Sequence, residues 1–83
     1  MSHRKLLERS LQDLSTFLQQ GFEDIGVRFD FEIDAKEARV DLMRSPLRPA
    51  ESAVARCGNR TYGIVVRDKD TSLVDKLAQK YGG

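Results

Sequence analysis

Residues 27–34 alternate between apolar and charged side chains, and this pattern constrains the fold more than any other feature of the sequence. The stretch reads VRFDFEID, so that every second side chain is apolar. Because successive side chains of a β-strand point to opposite faces, a period of two predicts a strand with one buried face. A shorter alternation over residues 38–42 (ARVDL) predicts a second strand, and residues 34–37 then form the turn of a β-hairpin.

The predicted hairpin places its large apolar side chains on one buried face: Val27, Phe29, Phe31, Ile33, Val40 and Leu42. Two registers of the hairpin keep this arrangement. In the first register Ile33 lies opposite Ala38, and in the second Ile33 lies opposite Val40. The first register also places Asp30 opposite Asp41, a like-charge pair that costs stability. The sequence alone does not choose between the two registers.

Regularly spaced leucines before the hairpin predict a helix over residues 4–20. Four leucines share one stripe at 3.6 residues per turn: Leu7, Leu11, Leu14 and Leu18. Gly21 follows, and glycine is the usual residue after the last turn of a helix. The spacing also matches two heptads of a coiled coil, but a coiled coil usually needs three or four. We therefore expect the leucine stripe to pack on the sheet of its own chain.

Two predictions compete for residues 50–57. Pro49 suits the first position of a helix, three alanines follow it, and Gly58 would end that helix. The alternative is that Gly58 and Asn59 form a hairpin turn between a strand over residues 52–57 and the next strand. We favour the helix, because alanine is a poor strand former.

The C-terminal part of the sequence predicts a central strand followed by a helix. Residues 61–67 include the apolar run 64–66, which suits a strand that is covered on both faces. Gly63 indicates a bulge or the close approach of another backbone segment. Residues 70–72 (DTS) are favourable N-cap residues, so a helix is expected to begin there. The inner face of that helix would hold four apolar side chains: Leu73, Val74, Leu77 and Tyr81.

Together these elements predict one small α+β domain over residues 1–83, in the order α-β-β, then a short helix or strand, then β-α. We expect a three- or four-stranded, mainly antiparallel sheet. The long N-terminal helix and the C-terminal helix would both pack on one face of that sheet. The other face would be open to water or to a partner.

Length and composition exclude several classes of protein. The chain has 83 residues, of which 40% are hydrophobic and 33% charged, as in an ordinary folded domain. No apolar run approaches the roughly 18 residues of a membrane span, and no signal peptide is apparent, so we expect no membrane association. The single cysteine, Cys57, cannot form an internal disulfide, which favours a cytoplasmic location. The net charge of +1 lacks the strongly basic signature of a dedicated nucleic-acid-binding domain.

The sequence offers little catalytic chemistry. His3 is the only histidine, and it lies close to the start of the chain. The sequence therefore offers no convincing Ser-His-Asp or Cys-His set. Cys57 lies between Arg56 and Arg60, whose charges would lower the pKa of its thiol. Because a nucleophile without a base is incomplete, a small half-buried side chain is the better interpretation of this cysteine. We predict no catalytic residue, no cofactor and no metal site.

Acidic side chains form the one enzyme-like pattern in the sequence. Four of them belong to the outer face of the predicted hairpin: Asp30, Glu32, Asp34 and Asp41. Clustered carboxylates of this kind hold a divalent cation in metal-dependent hydrolases and nucleases. The solvated face of a half-exposed hairpin has the same appearance, and we favour that simpler interpretation.

Charge is distributed in blocks along the chain. Residues 23–41 carry seven acidic and three basic side chains, whereas residues 42–67 carry five arginines and one acidic residue. Arginine binds phosphate or carboxylate with two parallel hydrogen bonds. The second block therefore predicts a basic binding surface composed of Arg44, Arg48, Arg56, Arg60 and Arg67.

These observations predict a small non-enzymatic interaction, adaptor or regulatory module that acts by protein–protein contact. Separate acidic and basic surfaces suit a charged protein partner or head-to-tail self-association, and a homodimer would enlarge the thin core of a small domain. One alternative is nucleic-acid binding through the arginines of residues 44–67. A third hypothesis is a metal-dependent hydrolase that uses the acidic side chains.

Overall fold

A central β-hairpin organises the computed structural model, which describes residues 11–82. Strand β3 (Glu51–Gly58) pairs antiparallel with strand β4 (Thr61–Arg67). The turn between them uses the left-handed backbone region, with φ of 61° at Arg60. The hairpin alternative for residues 52–57 is therefore confirmed, and the favoured helix over residues 50–57 is wrong.

Burial explains why the alanine-rich segment forms a strand. Val54 and Ala55 are both buried although they are neighbours in sequence, so they occupy opposite faces of the sheet. A surface helix would bury only one side of this segment. Pairing with β4 and burial on both faces outweigh the weak strand propensity of alanine, which tertiary context commonly overrides.

Two further strands flank the hairpin. Strand β2 (Glu23–Phe29) runs antiparallel beside β4, and the short strand β1 (Gln12–Asp13) runs parallel beside β3. The order across the sheet is β1-β3-β4-β2, so the sheet is mixed. Strand β4 is central, as predicted, and the side chains of its run 64–66 are fully buried.

The described helices cover both faces of this sheet. Helix α2 (Glu32–Met43) and helix α3 (Thr71–Gly82) pack on one face, around a cluster of Ile25, Leu42, Ile64, Val66, Val74 and Leu77. Helix α1 (Leu14–Gln19) packs on the opposite face, where Phe17 and Phe22 cover Ala55 and Val65. The α+β class is confirmed, but the first and last helices do not share a face, because α2 occupies that place.

The N-terminal helix is shorter within the described residues than the leucine spacing predicts. Gln12 and Asp13 pair with β3, and the helix spans only Leu14–Gln19. The predicted helix over residues 4–10, including Leu7, lies outside the described residues, as does His3. The buried residue of α1 is Phe17, whose ring meets that of Phe22 edge to face at 5.2 Å, whereas Leu18 is exposed. The aromatic pair, rather than the leucine stripe, orients this helix.

The predicted hairpin over residues 27–42 is wrong, and neither register exists. Only residues 27–29 of its first strand lie in β2. Strand β2 ends at Phe29, and the predicted turn over residues 34–37 lies inside α2. Ala35 and Leu42 are buried seven residues apart, on one side of the helix. Good helix formers make up most of residues 32–43, and their propensity outweighs an alternation over only five residues.

The last helix forms as predicted. Asp70 caps it, since its carboxylate Oδ1 accepts hydrogen bonds from the backbone N–H groups of Ser72 and Leu73 at 3.0 and 3.3 Å. Val74 and Leu77 are buried in the core. None of the three helices in the described part of the chain has the length and apolar character to cross a bilayer.

Candidate functional site

The outer face of α2 exposes large apolar side chains to solvent. Ile33 is 61% exposed and Val40 is 41% exposed, and Phe31, just before the helix, is 66% exposed. All three were expected in the core, because a β-hairpin would have turned them to one buried face. Scattered exposed apolar residues are normal on a protein surface, whereas neighbouring ones on a single element form a candidate contact surface.

Charged side chains accompany the apolar ones along the same face. A shallow depression there is lined by Ile33, Lys36, Glu37, Val40 and Asp41. The ammonium Nζ of Lys36 lies 2.8 Å from Oε2 of Glu32, one turn earlier on the helix. The outer face of α2 therefore combines apolar side chains with charges of both signs.

The two ends of α2 carry opposite charges. The acidic end comprises Asp30, Glu32 and Asp34, just before and within the first turn. The basic end comprises Arg44, at the C-cap, and Arg48, in the loop that follows. Acidic groups at the N-terminus and basic groups at the C-terminus of a helix complement its dipole.

The acidic residues therefore do not share the face of a hairpin. Asp41 lies two helical turns beyond Asp34, about 10 Å along the axis of α2. Within residues 11–82 no three His, Cys, Asp or Glu side chains come together as a metal-binding group. The geometry that the metal-dependent hydrolase hypothesis required is thus not formed by these residues.

Arg67 belongs to the structure of the sheet rather than to an open basic surface. Its guanidinium donates to both carboxylate oxygens of Glu51, at 2.7 Å from Nη2 to Oε1 and 3.1 Å from Nε to Oε2. Nη1 donates to the carbonyl oxygen of Gln20 at 2.6 Å, and the guanidinium lies 4.4 Å from the ring centroid of Phe22. The hydrogen bonds with Glu51 raise the pKa of Arg67 above its ordinary value.

The other four arginines of the predicted basic surface lie at two distant places. Arg56 and Arg60 are at the turn end of the β3–β4 hairpin, where Nε of Arg56 lies 3.2 Å from Oδ1 of Asp13. Arg44 and Arg48 form the basic end of α2. Because β4 spans seven residues, Arg60 and Arg67 are separated by roughly 20 Å of strand. The structure does not bring the five arginines into one surface.

Cys57 lies beside Arg28 rather than beside the arginines that flank it in sequence. Burial raises the pKa of the Cys57 thiol, and the charge of Arg28 opposes that rise without reversing it. Arg28 itself binds Asp24 with two hydrogen bonds, at 2.6 and 3.0 Å, and these lower the pKa of the Asp24 carboxyl. The hypothesis that cationic neighbours lower the pKa of Cys57 is therefore wrong, because the pKa is raised.

The edge of β3 is a second candidate surface, and sequence reasoning missed it. Among the described residues, β1 pairs only with Ala55 and Arg56 of β3. The first half of β3 instead borders a groove whose walls include Phe17 and Val40. Nε of Arg39, from α2, donates to the carbonyl oxygen of Ser52 at 3.2 Å. This contact holds α2 against the first half of β3.

Comparison of the chain with protein families, with curated proteins and with solved structures finds no significant match. The assignment of a function therefore depends on the surfaces described above. The alternation of apolar and charged residues alone does not predict the outer face of α2. The helix-forming composition of residues 32–43 is the signal that would have indicated it.

Proposed function

We propose that this chain is a non-enzymatic interaction module that acts by protein–protein contact through the outer face of α2. The observation that carries the proposal is the exposure of Ile33 and Val40 on α2, with Phe31 exposed at the N-cap of the same helix. A protein partner would remove these side chains from water. Full burial of a large aliphatic or aromatic side chain is worth about 1.5–3 kcal/mol, so this cluster is sufficient to anchor a contact.

The charges around the cluster supply orientation. A partner must place basic groups near the acidic end of α2 and acidic groups near its basic end. Such complementarity increases association rates and excludes partners of the wrong polarity more than it strengthens binding.

A cytoplasmic location is part of the proposal, and its support is the lone Cys57, which has no partner for an internal disulfide.

The test compares the host proteins that the full-length wild-type chain and its variants capture from a cell extract. The informative variant is Ile33→Ser with Val40→Ser, which shortens two apolar side chains that the fold leaves 61% and 41% exposed. The matched control is Leu18→Ser, since Leu18 is 47% exposed but belongs to α1. We expect the wild type and the control to retain a common protein that the double variant loses. Mass spectrometry of the captured proteins gives the readout.

The same experiment distinguishes the nucleic-acid alternative. The captured material is also extracted for nucleic acid, and an Arg44→Ala, Arg48→Ala variant is included. Nucleic acid that is retained by the wild type and lost from this variant would support that alternative instead. Retention of the same proteins by the Ile33→Ser, Val40→Ser variant would contradict the proposed contact surface.

A further inference from the structure

We propose that the partner at the outer face of α2 is a second copy of this chain, an inference that rests on the proposed function. The two α2 helices would pack antiparallel about a two-fold axis that passes beside Val40. The contact would be made by an outer stripe of α2 that consists of Ile33, Glu37, Val40 and Arg44.

The outer stripe is continuous along the helix. Its residues follow one another at spacings of four, three and four, which keeps them on one side of a helix with 3.6 residues per turn. All four side chains are exposed, and the buried Ala35 and Leu42 lie on the opposite side. Arg44 continues the stripe beyond the last helical residue, because its backbone stays right-handed with φ −97° and ψ −7°.

The charges of the stripe are self-complementary. Glu37 and Arg44 lie seven residues apart, about 10 Å along the helix axis, and Val40 lies between them. A two-fold axis beside Val40 therefore brings Glu37 of each copy level with Arg44 of the other copy. The same axis stacks the two Val40 side chains on each other. Parallel packing would instead place one Arg44 beside the other.

The charges at the two ends of α2 also favour the antiparallel arrangement. The acidic end of one α2 would lie towards the basic end of the other, and the two helix dipoles would oppose each other. One contact is unfavourable, because the two Asp41 carboxylates would lie close to the axis. Removal of that charge should therefore strengthen the pairing.

The contact area is small, so the dimer is expected to be weak. Stable interfaces usually bury more than about 1,000 Å² in total, and one helix face supplies less than that. We expect a dissociation constant of about 10 µM or weaker, a range in which the monomer and the dimer are both populated at accessible concentrations.

The first experiment is sedimentation equilibrium of the full chain at low salt, from about 10 µM to 1 mM. The wild type should rise in mean mass towards twice that of the monomer. Glu37→Arg alone and Arg44→Glu alone should each weaken association by about ten-fold, because each places like charges together. The combined variant should recover association. The control for altered charge is Asp75→Arg on the exposed side of α3, which should leave association unchanged.

A second experiment tests the position of the axis. Val40→Cys should form a symmetric intermolecular disulfide under mild oxidation, whereas Ile33→Cys should not, since the two Ile33 positions lie far apart in an antiparallel pair. Both variants are made with Cys57→Ala, so that only the new thiol reacts. Asp41→Asn should increase association in the sedimentation experiment.

Three results would overturn this inference. The first is a chain that stays monomeric throughout the concentration range. The second is a dimer that neither charge reversal weakens, and the third is efficient cross-linking through Ile33→Cys. If the chain is monomeric yet the Ile33→Ser, Val40→Ser variant loses a captured host protein, the second copy is excluded and the proposed function is retained.

Discussion

The guanidinium of Arg67 donates hydrogen bonds to both carboxylate oxygens of Glu51, which lies directly opposite it in the β3–β4 pair. The same side chain reaches the carbonyl oxygen of Gln20 and the ring of Phe22. Arg67 therefore connects the hairpin to the end of α1, and its planar donor group makes contacts that lysine cannot reproduce.

Replacement of Arg67 should therefore destabilise the fold more than replacement of Arg56. Arg67→Ala removes the hydrogen bonds to Glu51 and Gln20 and the contact with Phe22, whereas Arg56→Ala removes one exposed ion pair with Asp13. Thermal unfolding followed by circular dichroism should show a lower Tm for Arg67→Ala than for Arg56→Ala. Equal Tm values would contradict a structural role for Arg67.

Phe31 and Leu42 distinguish the observed helix from the predicted hairpin. Phe31 is 66% exposed and Leu42 is 1% exposed, although a hairpin would bury both. Phe31→Ala should therefore reduce the free energy of unfolding by less than about 1 kcal/mol, and Leu42→Ala should reduce it by about 2–5 kcal/mol. Urea titration measures both values. A large loss for Phe31→Ala would indicate that the side chain is buried.

Gly63 should not tolerate a side chain. A Cβ there would lie 2.8 Å from Sγ of Cys57 and 3.0 Å from the carbonyl oxygen of Val27, which is backbone and cannot move cheaply. We expect Gly63→Ala to reduce the free energy of unfolding by about 1–3 kcal/mol. Cys57→Ala in the same chain should restore only part of the loss, because the contact with Val27 remains. A neutral Gly63→Ala in a urea titration would contradict this packing.

Two carboxylates should make the fold sensitive to acid. Hydrogen bonds from Arg28 lower the pKa of Asp24, and the backbone N–H groups of Asp70 and Ala50 lower the pKa of Asp68. A carboxyl whose pKa is lower in the folded state stabilises the fold above its unfolded pKa of about 3.9, and that contribution is lost as pH falls.

The free energy of unfolding should therefore be nearly constant between about pH 5 and pH 8 and should decline below about pH 4. Asp24→Asn should make that decline shallower. Asp75→Asn, on the exposed side of α3, is the matched control and should leave the profile unchanged. If Asp24→Asn loses stability at low pH as the wild type does, Asp24 does not contribute to the acid sensitivity of the fold.

Cys57 should react slowly with alkylating reagents in the folded protein. Its raised pKa reduces the thiolate fraction near neutral pH, and the thiolate is the reactive form. Mass spectrometry after treatment with iodoacetamide should show slower modification of the folded chain than of the same chain in urea. Faster modification in the folded state would indicate an activated thiol.

Elements whose local sequence signals agree with one another could be predicted correctly. An apolar run that suits two covered faces predicts β4, and its side chains are buried on both. Asp70 caps α3 where the capping residues predict it. Gly63 predicted a bulge or the close approach of another backbone segment, and the structure places the carbonyl oxygen of Val27 against it.

Where local signals conflict, long-range packing determines which secondary structure a segment adopts. Residues 52–57 resemble a helix by propensity but form a strand because β4 pairs with them and both faces are covered. Residues 32–43 continue an alternating pattern but form α2, which buries Ala35 and Leu42 and leaves Ile33 and Val40 outside. Whether an apolar side chain belongs to the core or to a contact surface depends on the face that packing covers, and periodicity alone does not carry that information.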